Sequence, residues 1–513
     1  MWKRLATDTV NIACSPPFSF YFDIVREYFR AATNTQPLHR ICTLTRKQRA
    51  TWLVAECALD RPDVQEEIEH LDRRYGGGGE ASATALSFFK NCHSANELRD
   101  SPEAEANLLA HAVIINYRSK RKADFSHSYV FEAILAPIKN SFGNGHSGLL
   151  LNNFVAAEGH FERTILGRVF ALKGVYYCQQ NDTTHVCGHA CLRMAINSAG
   201  QFAKPISNVG INRFLGITRK VKGLTSGQME DVIADAGLNP LVITKLKPEH
   251  FLPELASIVE SGYLALLGFT TKRRADHVVT VFGHTRNSDE WHPQAIPAYS
   301  GPSSAKYLPS GSWIDHFLIH DDNFGPHFSL SARSFDLHTN VKPSCLIGLL
   351  PAEPVVHSNY AEGLASSTLK NLLQQFEGRP MNKWLDYMAI RPQDFVLRAI
   401  LMKGSQYFGH LKGMTGHDGT LLDDLIISKL EWLPEYFWMV EYSLPPLYTG
   451  NRTKLGEVLI TAADSKGYRA GHVLAVRLPG LVLRSQGTTF DGLPSDLRSH
   501  SPIYECRQFD NYW

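Results

Sequence analysis

The sequence predicts an α+β protein: a central domain in which helices precede an antiparallel sheet, with further α+β regions on either side. Three observations carry this. The chain has 513 residues, more than one core serves at about 150 residues per domain, so roughly three domains are expected. Within 171–350, segments of helical apolar spacing come first and runs rich in Val, Ile, Leu and Phe follow. Helices grouped ahead of strands mark an α+β domain, since a doubly wound sheet alternates them. The expected limits are 1–170, 171–350 and 351–513.

The bulk numbers narrow the class. A hydrophobic content of 44% with 20% charged residues describes a folded globular chain. A formal charge of +2 gives no electrostatic reason to expect nucleic acid or acidic lipid as partner. No stretch reaches the roughly 18 consecutive apolar residues of a membrane span; the longest candidate, 258–270, is short and contains Glu260. After Met1-Trp2-Lys3-Arg4, Asp8 and Asn11 interrupt any apolar region. A cytoplasmic protein is expected. The nine cysteines are odd in number and scattered, unlike a disulfide framework, so most are expected reduced.

Taken in order, 20–32 and 46–59 have helix-like spacing, and 62–75 is a charged helix ended by the glycines at 76–79. That glycine run reads as a loop, because no Gly-Lys-Ser/Thr follows to cradle a phosphate. Segments 129–138 and 148–155 read as strands around a turn at 140–147. The first region is thus expected to mix helices with two or three strands. In the second, 175–178 is a strand and 188–198 a buried helix marked by Ala190, Cys191, Met194 and Ala195. Thr225-Ser226-Gly227-Gln228 has the form of a capping box before a helix over 229–236 that stops at Gly237. A helix over 253–261 precedes strands at 263–269, 277–282, 314–320 and 328–332. The third region is expected to hold helices at 361–376, 383–388 and 419–431, then strands at 436–443, 455–461 and 471–478. A turn at 464–471 and loops at Pro445-Pro446 and 450–452 complete it.

The chemistry gathers around Gln179-Gln180-Asn181-Asp182-Thr183-Thr184-His185-Val186-Cys187-Gly188. A cysteine at a helix N-terminus meets free N–H groups and the positive end of the helix dipole, which favour thiolate. A glutamine amide a few residues earlier can donate to an oxyanion together with the Cys187 N–H. Gln180 is preferred over Gln179 as the nearer. His277, opening an apolar strand, is the expected general base, with His284 and His292 as competitors. Asp321, ending the apolar run 317–319, is expected to orient the imidazole, with Asp322 as alternative. The order Gln180, Cys187, His277, Asp321 fits acyl transfer through a cysteine. Zinc is the rival chemistry, through His185, Cys187, His189 and Cys191. These four lie too close together for one helical turn to present them tetrahedrally, so no metal is expected, and no cofactor.

Cys187-Gly188-His189-Ala190-Cys191-Leu192-Arg193-Met194 resembles the Cys-Gly-Pro-Ala-x-Leu-x-Met run of the papain-like peptidases that cut double-glycine leader peptides of bacteriocins. Gly223-Leu224-Thr225-Ser226 leading into 229–238 resembles that family's second helix. Glu260-Ser261-Gly262-Tyr263 resembles the segment before its histidine strand. His277-Val278-Val279 and Asp321 fall where the family keeps its histidine and aspartate. The resemblance covers about 175–335. It implies a papain-like cysteine peptidase domain, a helix packed on an antiparallel sheet, working through a thioester with Gln180, Cys187, His277 and Asp321. Differences include His189 in place of the proline and a longer interval between His277 and Asp321. No Walker A motif marks an exporter-fused form, so a leader-peptide substrate is not implied. The expected activity is hydrolysis of a peptide or isopeptide bond in a peptide or protein substrate. A transamidase or deconjugating enzyme, and a catalytically inactive interaction protein, are the alternatives. The terminal regions are expected to offer surfaces to protein partners.

Overall fold

The structure is a computed structural model. It describes residues 3–4, 10–13, 34–92, 94–122, 126–136, 153–155, 159–200, 203–219, 221–244, 248–271, 276–286, 299–300, 306–332, 341–352, 354, 356–379, 382–390, 394–413, 424–428, 430–448, 454–465, 467–486 and 489–493. Among the described residues the fold is mixed α+β, built on three largely antiparallel sheets. The segments 20–32, 140–147 and 450–452 and the residue His292 lie outside the described residues.

Among the described residues the first sheet has eight strands, not two or three. Glu80–Phe89, Leu108–Arg118 and Ser126–Leu135 are its long central strands, each ten or eleven residues and almost wholly buried. With both faces covered, such strands lose the apolar–polar alternation that identifies a half-exposed strand. That burial is why sequence periodicity missed the first two. The expected helix over 46–59 is a second correction. The helix is Gln36–Lys47, and Trp52–Cys57 is a strand whose Trp52 pairs with Phe89. Arg49, at a φ of 65°, turns the chain between them. The helix Pro62–Arg74 forms as expected. The glycines 76–78 that follow all have positive φ, and the N–H groups of Gly78 and Gly79 donate to the Asp72 carboxylate at 3.2 and 2.8 Å. The protein's own anion fills that loop.

The second sheet runs Asn239–Ile243, Val341–Leu350, Leu264–Thr271, Asp276–Arg286, Ile314–Asp321, Gly325–Ser331, with every neighbour antiparallel. Against it lies the helix Cys187–Ser198, whose residues 188–196 are all buried. Cys191 Sγ donates to the Val278 carbonyl at 3.1 Å, and Thr280 Oγ1 donates to the Cys191 carbonyl at 3.2 Å, pinning helix to strand. The helix Ser226–Asp235 begins with the capping box expected at Thr225 and Gln228 and stops at Gly237, φ 89°.

The third sheet includes Phe395–Lys403, Tyr436–Ser443, Gly456–Thr461, Val473–Leu478 and two further hairpin strands. Strands cross the expected domain limits. Arg168–Tyr177 belongs to the first sheet, Asn153–Val155 pairs with Asp276–Arg286, and Lys306–Pro309 joins the third sheet beside Phe395. One continuous core runs from Leu38 through Cys191 to Leu349; a second joins Leu255 and Val279 to Val440. Among the described residues no helix is long and apolar enough to cross a membrane.

Candidate active site

Cys187 is the first residue of its helix, with Val186 extended before it at φ −124°, ψ 179°. Among the described residues no side chain caps this end, so its first N–H groups and the dipole remain for the sulfur or its reaction partner. Gly188 has a structural reason as well: a Cβ there would stand 3.2 Å from the Leu224 side chain. Cys187 itself is half-buried, whereas Cys178 and Cys191 are fully buried. Burial pushes the Cys191 thiol well above its ordinary value and Cys178 up to about 12, so neither forms thiolate readily.

Two strands bring histidine and aspartate together. Thr280 pairs with His320, a register that carries residues 321–323 back toward His277. His277 Nε2 donates to Asp321 Oδ2 at 3.0 Å. The other oxygen of Asp321 accepts the backbone N–H groups of Asn323 and Phe324 at 2.9 and 3.1 Å, fixing the carboxylate. With Nε2 committed, Nδ1 is the ring nitrogen left to interact with the Cys187 side chain. Phe269 covers the ring edge-on, centroids 5.6 Å apart. Burial works to lower the His277 pKa. The hydrogen bonds to Asp321 and Cys187 and the charges of Asp321 and Asp322 outweigh it and raise the group to about 10. The imidazole is therefore held as imidazolium at neutral pH, the partner a thiolate needs.

The two glutamines separate by what their amides touch. Gln179 is buried and fully engaged: Oε1 accepts the Val130 N–H at 3.0 Å and Nε2 donates to the Asn34 carbonyl at 3.2 Å. Gln180 is half-buried and donates from Nε2 to Asn323 Oδ1 at 2.9 Å, beside the Asp321 turn. Of the competing histidines, His284 is fully buried against Glu260 at 3.2 Å.

The residues of the suspected zinc set point apart. His185 Nε2 contacts Glu67 at 3.2 Å, His189 Nε2 donates to Asn212 Oδ1 at 3.0 Å, and Cys191 is spent on Val278. His277, Asp321 and Asp322 do offer ligand atoms within 4.8 Å of one another. The 3.0 Å contact there is a hydrogen bond that uses the Nε2 proton, and a nitrogen donating that proton has no lone pair for a cation.

Sequence reasoning missed the device that shapes the loop between Gln180 and Cys187. Asn181 Oδ1 accepts from the N–H groups of Thr183, Thr184 and His185 at 3.0, 2.9 and 3.2 Å, while Nδ2 donates to Thr184 Oγ1 and Glu67 Oε1. Asp182 takes a φ of 55° to allow it. Glu67, 1% exposed, also accepts from Tyr129 at 2.8 Å. Burial raises its pKa, but His185, Arg193 and Tyr129 together hold it down to about 2. A signal existed: Glu67 interrupts the apolar stripe Val64, Ile68, Leu71 of its helix, and a buried carboxylate demands partners. Comparison with protein-family models and with curated proteins finds no match for this chain.

Proposed function

We propose that the chain is a papain-like cysteine hydrolase that cleaves a peptide or isopeptide bond through a thioester on Cys187. One observation carries the reading: a single imidazole, His277, donates to the Asp321 carboxylate and interacts with the side chain of Cys187, which starts a helix. The Cys187 thiolate bonds to the substrate carbonyl carbon, and the oxyanion is received by the Cys187 N–H and the Gln180 amide. The carbon–nitrogen bond then breaks, and the departing amine takes the proton from His277 Nδ1. Water attacks the thioester, His277 takes its proton, and the carbon–sulfur bond breaks to restore the thiolate. Asp321 orients the ring and supports its positive charge. The resemblance around Cys187 agrees with this assignment of roles.

Alkylation tests it without a known substrate. Iodoacetamide at neutral pH should modify Cys187 well ahead of the other eight cysteines, and His277→Ala should slow that reaction by an order of magnitude or more. Cys187 reacting no faster than the rest sinks the reading. Fragments released from a lysate by wild type and not by Cys187→Ala would name the substrate, and incorporation of a labelled amine would mark a transamidase instead.

A further inference from the structure

We propose that Asp322 is a third ionising group of this active site, whose charge restrains proton donation by His277; the inference rests on the cysteine-hydrolase reading. Adjacent residues of a strand face opposite ways, yet the turn after Asp321 brings both carboxylates to one nitrogen. Asp321 Oδ2 lies 3.0 Å and Asp322 Oδ1 3.6 Å from His277 Nε2. Asp322 is 0% exposed and its Oδ2 has no hydrogen-bond partner among the described residues. Among the described residues its Oδ1 meets the histidine and a long contact from Asn323 Nδ2 at 3.5 Å, and its own backbone N–H adds a further interaction. A buried anion with an unserved oxygen is costly, whereas a carboxylic acid can place its proton there.

The surrounding groups decide how easily it ionises. His277 faces it from the strand Asp276–Arg286, Asp321 stands beside it, and Asp182 acts on it from the loop before Cys187. From the end of Arg168–Tyr177 come Cys178 and Tyr177, whose phenol donates to the Asp322 carbonyl at 3.3 Å; Cys191 faces it from the helix. His277 alone among these brings a positive charge. Burial pushes Asp322 up and Asp321 and Asp182 add to the rise, while His277 and the Asp322 backbone N–H oppose it, leaving the group at about 7.

The consequence is chemical. With Asp322 neutral, one carboxylate holds the imidazolium; with it ionised, two do. A second anion this close raises imidazole basicity by about tenfold or more, so the Nδ1 proton passes less readily to the leaving amine. The proton that Asp322 itself loses goes to solvent and not to substrate.

The test compares two alkylating probes on the full chain, neutral iodoacetamide and anionic iodoacetate. Rates at Cys187 are read by peptide mass at low ionic strength between about pH 5 and 9. Their ratio cancels the thiolate fraction and reports the charge in the pocket. In wild type the preference for iodoacetamide should grow about fivefold as pH passes through neutrality. In Asp322→Asn it should stay at its acidic value, with the melting temperature at pH 6 nearly unchanged. A flat wild-type ratio overturns the proposal whether or not the variant folds, and so does an Asn variant that keeps the rise. Cys187 reacting no faster than other thiols would instead sink the hydrolase reading, and this inference with it.

Discussion

His277 is the residue on which the site turns, and its protonation ties chemistry to stability. Its folded pKa of about 10 lies above the ordinary 6.5. The proton is bound more tightly in the folded chain, so the resulting stabilisation is complete below about pH 6.5 and vanishes as pH rises through 10. The melting-temperature advantage of wild type over His277→Ala should therefore shrink across that window; an advantage constant with pH would mean that no imidazolium is held. Cys191 provides the contrast, since its sulfur serves the Val278 carbonyl. Cys191→Ala should lower stability yet leave Cys187 alkylation intact, and a loss of that reactivity would return attention to the metal chemistry considered for these residues. The meeting of His277 with Asp321 and the place of Cys187 at a helix start were legible in the sequence, where chemistry imposes an order along the chain. Glu67 announced itself only as a carboxylate in an apolar stripe, because its partners Tyr129, Asn181 and His185 come from 62, 114 and 118 positions away in sequence.

At the scale of elements, the loop from Gln180 to Cys187 is held by one amide. Asn181→Ala removes an acceptor for three backbone N–H groups and a donor to buried Glu67. Leaving such groups unsatisfied costs about 1–3 kcal/mol. Urea denaturation should show that loss, and alkylation of Cys187 should slow because the residues ahead of it shift. Thr225→Ala is the companion measurement. It deletes a capping box on another helix, should cost about 1 kcal/mol, and should leave Cys187 alkylation unchanged. The same contrast explains what the sequence revealed about elements. The capped helix Ser226–Asp235 announces itself through local signals, as do strands bounded by turn residues. Glu80–Phe89 and Leu108–Arg118 do not, since burial on both faces removes their alternation, and Trp52–Cys57 was absorbed into a helical pattern that Arg49 interrupts.

Across the whole molecule, buried charge links the sheets. Arg398, Glu441, Glu457 and Arg477 are direct cross-strand partners on four adjacent strands. Lys454 bridges Glu441 and Glu457 at 2.8 and 3.2 Å, and Arg398 reaches Glu260, which also contacts His284 on the His277 strand. Removing one partner strands its neighbour, so Arg398→Met should cost about 3–5 kcal/mol by chemical denaturation; a near-neutral effect would show that these pairs contribute little. Burial raises Glu441, but Lys454 and Arg398 hold it down to about 2, as His185 and Arg193 help to do for Glu67. Carboxylates depressed from 4.5 stabilise the protein above that value and cease to as pH falls toward 2, so the melting temperature should drop steeply over that interval.

The crossing of sheets over the expected limits has a bearing on how this protein can be dissected. A fragment cut at 171 and 350 would keep His185 without Glu67, Glu260 without Arg398, and half of each shared core open to water. Such a piece should aggregate, and its solubility on expression measures that. Bait proteins and activity probes should accordingly be built on the uncut polypeptide, with side-chain substitutions in place of deletions.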